Sequence, residues 1–88
     1  MEHVEVELLT DGSENAVIRM PGRQFPGVLI QGDSLASLRS DVAEIRDTCL
    51  AGNATEALEA AEFLLEDLDA ILLRYTDALD RHGLRKPF

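Results

Sequence analysis

The 88 residues suffice for one domain, since two halves would each be too small to bury a useful core, and even the whole chain removes only about 60–65% of its unfolded surface from water. Apolar residues make up 45% and charged residues 28%, the values of a globular chain, and no apolar run nears the roughly 20 residues of a membrane span. Seventeen acidic against eight basic residues give a net charge of −9, a field that repels phosphate backbones and anionic headgroups and excludes nucleic acid and membrane as partners of the molecule as a whole.

The first predicted element is a strand over residues 3–9, where Val4, Val6 and Leu8 alternate with Glu5 and Glu7. Asp11-Gly12-Ser13-Glu14-Asn15 has turn composition, and a second strand follows over 15–20 with Ala16, Ile18 and Met20 on one face and Arg19 pointing away. Pro21-Gly22-Arg23 and Pro26-Gly27 punctuate the chain around Phe25, and Val28-Leu29-Ile30 supplies a short third strand over 27–31.

A helix is expected over 34–51, capped by Asp33 or Ser34, with Leu35, Leu38, Val42, Ile45 and Cys49 recurring at gaps of 3 and 4 and Gly52 as a left-handed stop. The second helix, 54–82, opens on Asn53 with Glu56 three residues on, as in a capping box. Its stripe runs through Ala54, Leu58, Ala61, Leu65, Leu68, Leu72, Tyr75 and Leu79, with Gly83-Leu84 as a Schellman stop. At 1.5 Å per residue this rod measures about 43 Å, longer than a domain of this size can cover, so a second copy of the chain is expected on its far end. The expected architecture is α+β: one domain over 1–88, with an N-terminal antiparallel sheet of two or three strands followed by a two-helix hairpin whose C-terminal helix is long.

Gly32-Asp33-Ser34-Leu35 spells the nucleophile signature of GDSL esterases. That chemistry needs a histidine to take the serine proton and donors for the oxyanion. Only His3 and His82 are available, and Asp80-Arg81-His82 has the wrong spacing for the Asp-x-x-His element of those enzymes. A strand-to-helix turn accounts for all four residues, and the protein is read as a non-enzyme with no catalytic residue. Glu59, Glu62, Glu66 and Asp69 fall opposite the apolar stripe and lack the histidine at i+3 that bundle metal sites carry, so they read as a solvated face; no metal or cofactor is expected. Cys49 continues the first helix's stripe and reads as core.

Two binding regions remain. Arg19, Arg23, Phe25, Gln31, Asp33 and Ser34 gather sequence features suited to a small anion, although Asp33 opposes one and pairing of the arginines with carboxylates is the simpler account. Phe63, Leu68, Leu72, Tyr75 and Leu79 are the candidates for a dimer or partner interface; Phe63 stands off the stripe on a polar face, either as an aromatic anchor or as a ring packed under the β-layer. The acidic start and basic end of the second helix (Arg81, His82, Arg85, Lys86) favour antiparallel pairing of two copies.

The run from Pro21 to Leu35, PGRQFPGVLIQGDSL, resembles the signature of a small bacterial family of uncharacterised single-domain proteins, and the likeness extends over nearly the whole chain. More distantly, Phe25-Pro26-Gly27 and Gly32-Asp33-Ser34-Leu35 are similar to HicB-type antitoxins, whose β-β-β-α core binds and neutralises a basic ribonuclease toxin. That second likeness covers a third of the chain; where those proteins continue with a strand, this one has a long helix, and no DNA-binding segment is attached. The functional expectation is a non-catalytic protein-interaction module, antitoxin- or immunity-like, acting on a basic partner protein and forming a homodimer. The alternative is a small-molecule or anion-binding domain. A start without basic or strongly apolar residues and a single cysteine imply the cytoplasm.

Overall fold

Three left-handed glycines and two prolines divide this chain into its elements. The computed structural model describes Met1–Phe88 and shows β1 (Glu7–Leu8), β2 (Val17–Arg19), β3 (Gly27–Val28), α1 (Gly32–Leu50) and α2 (Ala54–Arg81), an α+β arrangement. The strands form one antiparallel sheet in the order β1-β2-β3, with Glu7 opposite Arg19, Leu8 opposite Ile18, and Val17 opposite Val28. They are much shorter than the sequence pattern suggests. Residues 1–6 adopt no regular structure, and Pro26, which lacks an amide hydrogen, precedes β3 directly.

The helix stops follow one device. After α1, Gly52 at φ +81° lets its own amide bond the Cys49 carbonyl (3.0 Å) and the Asn53 amide reach that of Thr48 (3.1 Å). After α2, Gly83 at φ +64° repeats the pattern, with Gly83 N–H to Asp80 and Leu84 N–H to Leu79. Both are Schellman motifs, and the second carries the hydrophobic contact that goes with it, since Leu84 packs against the cluster containing Leu79. At the start of α2 the Asn53 Oδ1 accepts the Glu56 amide at 3.2 Å, as the capping pattern predicts. The start of α1 differs from expectation. Its N-cap is Gln31, which makes no side-chain cap bond, and Asp33 sits inside the first turn with its carboxylate on the Ser34 amide (2.8 Å).

Two compact units divide the chain: Met1–Ile30 with Ile71–Phe88, and Gln31–Ala70. The first holds the core cluster. Val17 and Leu79 are wholly buried, Tyr75 and Ala78 nearly so, and Leu9, Val28 and Leu84 pack around them. Leu9, Val17 and Val28 form a cross-strand row against the last turns of α2, the unit of sheet stabilisation. This overturns the predicted strand faces: Val4, Val6, Leu8 and Met20 are 41–53% exposed, and Val17 faces inward on the same side as Arg19. The pattern misled because the inward face carries two charges, Glu7 and Arg19, that satisfy each other across the ladder.

Polar pins hold this end of α2 to the strands. The Tyr75 hydroxyl donates to the Pro26 carbonyl (2.8 Å), Arg74 donates to the Asn15 carbonyl (3.3 Å), the Asp11 carboxylate (2.9 Å) and Ser13 Oγ (3.2 Å), and His82 Nε2 lies 2.9 Å from the Leu9 carbonyl. The Tyr75 ring also stacks on Phe88 with centroids 6.2 Å apart. Burial raises the Tyr75 pKa above its ordinary value, so the phenol stays protonated and keeps donating.

The second unit is thinly packed. α1 buries no residue, and among residues 31–70 only Ala57 is buried. Expected core position Cys49 is exposed, as are Leu35 and Val42. Leu79→Ala is expected to cost about 2–5 kcal/mol through the cavity it leaves, and Tyr75→Phe about 1–2 kcal/mol through the orphaned Pro26 carbonyl. Urea denaturation followed by circular dichroism measures both; a Leu79→Ala variant as stable as the parent would contradict this core.

Candidate functional site

Arg19 belongs to a closed ion pair. Its Nε and a terminal nitrogen donate to the two oxygens of Glu7 at 2.8 and 2.9 Å, a bidentate fork set by the β1–β2 register that places these residues opposite each other. The hydrogen bond from Arg19, with its charge, holds the Glu7 carboxyl below its ordinary value and raises the guanidinium in turn. Arg23 lies exposed after the Met20–Arg23 turn, where Gly22 at φ +76° permits the Arg23 N–H to Met20 carbonyl bond of 3.1 Å. Phe25 is half-buried in the same unit. Gln31, Asp33 and Ser34 belong to the other unit, at the opening turn of α1. Of the two arginines that the sequence offers for an anion, Arg19 is thus already spent on Glu7, and Arg23 stands exposed on its turn.

The five interface candidates also divide. Tyr75 and Leu79 are buried in the core cluster, so they present no surface, because α2 reverses its role along its length: its last turns face the chain's own sheet. Leu68 and Leu72 remain 43% and 46% exposed, and Phe63 is 70% exposed.

Phe63 has surroundings that the sequence did not reveal. On the α1–α2 hairpin it lines a shallow groove with Ala60, Leu64 and Asp67 of α2 and Asp41 and Glu44 of α1. Three carboxylates therefore border one exposed ring and an aliphatic floor. The spacing of Asp41 and Glu44 was the available signal: three apart on α1, they share a face, but which face meets Phe63 depends on how the helices pack. Of the chain's 17 acidic and 8 basic residues, ten and two fall in Gln31–Ala70, so this unit carries a net charge of −8 out of −9. Such a surface can dock a cationic, partly apolar partner through the carboxylates and through the ring face, which attracts ammonium and guanidinium groups.

A small α+β domain with an acidic helical hairpin is the class that these features define. The chain belongs to a family of unknown function (DUF6959), whose profile matches residues 1–88. No curated protein and no solved structure matches it. No helix is long and apolar enough to cross a membrane.

The Glu7–Arg19 pair has a testable pH signature. A carboxyl held below its ordinary value of 4.5 adds stability that is complete above that pH and is lost as pH falls through the lowered value. Arg19→Met should return the Glu7 titration to the ordinary carboxylate range and flatten the acid limb of the stability curve below pH 4.5, read by NMR titration and by denaturation as a function of pH; an unmoved Glu7 titration would contradict the pairing.

Proposed function

We propose that this protein is a non-catalytic interaction module that binds a basic partner protein through the acidic groove around Phe63. The supporting observation is the exposed ring itself, held between Asp41, Glu44 and Asp67 on a unit of net charge −8. Large aromatics in such settings are the usual anchors of interfaces, and a carboxylate rim adds steering and partner choice. The HicB-like run from Phe25 to Leu35 makes an antitoxin- or immunity-like role the particular form of this reading, with the partner a basic toxin in the cytoplasm. The anion-binding alternative has less support, because Arg19 is committed to Glu7 and Asp33 occupies the first turn of α1.

Affinity capture from host lysate, with the retained protein identified and its affinity then measured, tests this. A stoichiometric basic protein is expected on the parent chain. Phe63→Ala should weaken its binding by about 2 kcal/mol or more, roughly 30-fold, and Glu44→Lys should slow its association, while Arg23→Ala changes neither. A partner that binds Phe63→Ala as tightly as the parent would sink the proposal. A thermal shift with inorganic phosphate that Arg23→Ala removes would favour the alternative.

A further inference from the structure

The hairpin has a second face, and it carries uncovered apolar side chains. On α2, Leu58, Leu65 and Leu68, and on α1, Leu35 and Val42, are 43–60% exposed. Leu65 and Phe63 stand two residues apart, about 200° around α2, so this face and the Phe63 groove are on different sides of the hairpin. Burial places the line of closest approach between the helices at half-buried Leu38 and Ile45 of α1 and at buried Ala57 and half-buried Leu64 of α2. Rotating away from that line in the direction of chain advance, α1 shows Leu35 and Val42 first and then Arg39 and Arg46. The same rotation on α2 shows Leu58 and Leu65 first and then Glu59, Glu62 and Glu66. The helices run antiparallel, because the three-residue link between Leu50 and Ala54 is too short to carry the chain back along α1 while the two helices share the groove of Asp41, Glu44, Ala60 and Leu64. Equal rotations on antiparallel helices lead to the same side. One face therefore has an apolar centre, a basic edge on α1 and an acidic edge on α2.

The edges are also level. Counted from the link between Leu50 and Ala54, Arg39 and Leu65 lie eleven residues along their helices and Arg46 and Leu58 four, which puts Arg39 at the height of Leu65 and Glu66, and Arg46 at the height of Leu58 and Glu59. Between the two arginines, Val42 and Ala43 floor a shallow hollow, and the same count from the link puts Glu62 level with Val42. Arg39 has no carboxylate in ion-pair reach, and Arg46 holds only its neighbour Asp47, in a pair whose side chains are about two-thirds exposed. Pairs so exposed are weak and readily exchanged.

We infer that this face binds a second copy of the chain, the two hairpins stacking about a two-fold axis parallel to the helices so that Arg39 and Arg46 of each copy meet Glu66 and Glu59 of the other. Such an axis swaps the two edges without shifting them along the helices, so basic edge meets acidic edge at equal height and Glu62 enters the hollow between the arginines. A two-fold perpendicular to the helices would set arginine against arginine and acid against acid, and like charges brought together select against it. The centre closes as a four-helix bundle, removing from water the leucines that one hairpin leaves exposed. The ten acidic residues of each hairpin weaken this association, but those around Phe63 lie on the outer sides of the bundle, where salt screens them over about 8–10 Å.

Charge reversal on the full chain tests the geometry, with sedimentation equilibrium as the readout. The parent is expected to be a dimer at micromolar concentration. Arg39→Glu with Arg46→Glu should raise the dimer dissociation constant roughly 100-fold, and Glu59→Arg with Glu66→Arg should do the same. An equimolar mixture of the two variants should recover a heterodimer within about tenfold of the parent. All four positions are exposed, so helical circular dichroism should persist; the single changes Arg39→Glu and Glu66→Arg repeat the test in gentler form. A parent that stays monomeric at about 100 µM, reversals without effect, or a mixture that fails to pair overturns the inference. Phe63→Ala should leave the dimer intact, so this result is independent of the partner-binding reading.

Discussion

Val17 against Leu79 is the contact on which the rest of the structure depends. They are the two large side chains fully removed from water, one from the middle strand and one from the last turn of α2. Each is held in place by backbone chemistry nearby. The β2 strand is paired on both sides, and the Leu79 carbonyl accepts the Leu84 amide that closes the helix. Tyr75 and Arg74, one turn earlier, fix the height of the helix against Pro26, Asn15 and Asp11. An 88-residue chain has apolar material for one such core, and it spends it at this end.

The consequence is a helix with two lives. From Ile71 onward α2 is a structural member, packed and pinned within the unit that contains the sheet. From Ala54 to Ala70 it belongs to a hairpin in which only Ala57 is buried, and its leucines meet water. Leaving several leucines exposed is costly for a domain with a small stability margin, a cost that the proposed association would relieve. Charge follows the same division. The unit with the sheet is close to neutral, whereas the hairpin carries nearly all the excess negative charge, so the sparsely packed part is also the part best suited to attract a cationic surface.

Phe63 and Leu65 show how little separation is needed to build two surfaces on one helix. Two positions along the chain turn the side chain by more than half a revolution, placing the aromatic ring among carboxylates and Leu65, also exposed, on another side of the helix. The proposed partner anchor and the proposed self-complementary face therefore draw on different residues of one helix.

The elements of local chemistry were legible in the sequence. The α+β order, the helix at Asn53 with its Glu56 partner, the two glycine stops and the paired arginine at position 19 all follow from interactions within a few residues or from charge satisfaction. Periodicity also located the apolar stripe of α2, because a repeat of 3 and 4 puts residues on one side of any helix. What periodicity cannot supply is the identity of the neighbour. Tyr75 and Leu79 share the stripe with Leu65 and Leu68, yet the first pair meets the sheet and the second meets solvent. The inward face of the strands was hidden because Glu7 and Arg19 neutralise each other only once the register brings them together. The Phe63 groove depended likewise on the packing of α1 beside α2, which sets Asp41 and Glu44 next to residues about 20 positions away. Sequence by itself determined the order of the elements, where the two helices stop and which side of α2 is apolar, since those are set by short-range backbone and spacing effects. Tertiary structure alone decided which apolar side is covered, because burial is a property of pairs of elements and this chain has more apolar surface than partners for it.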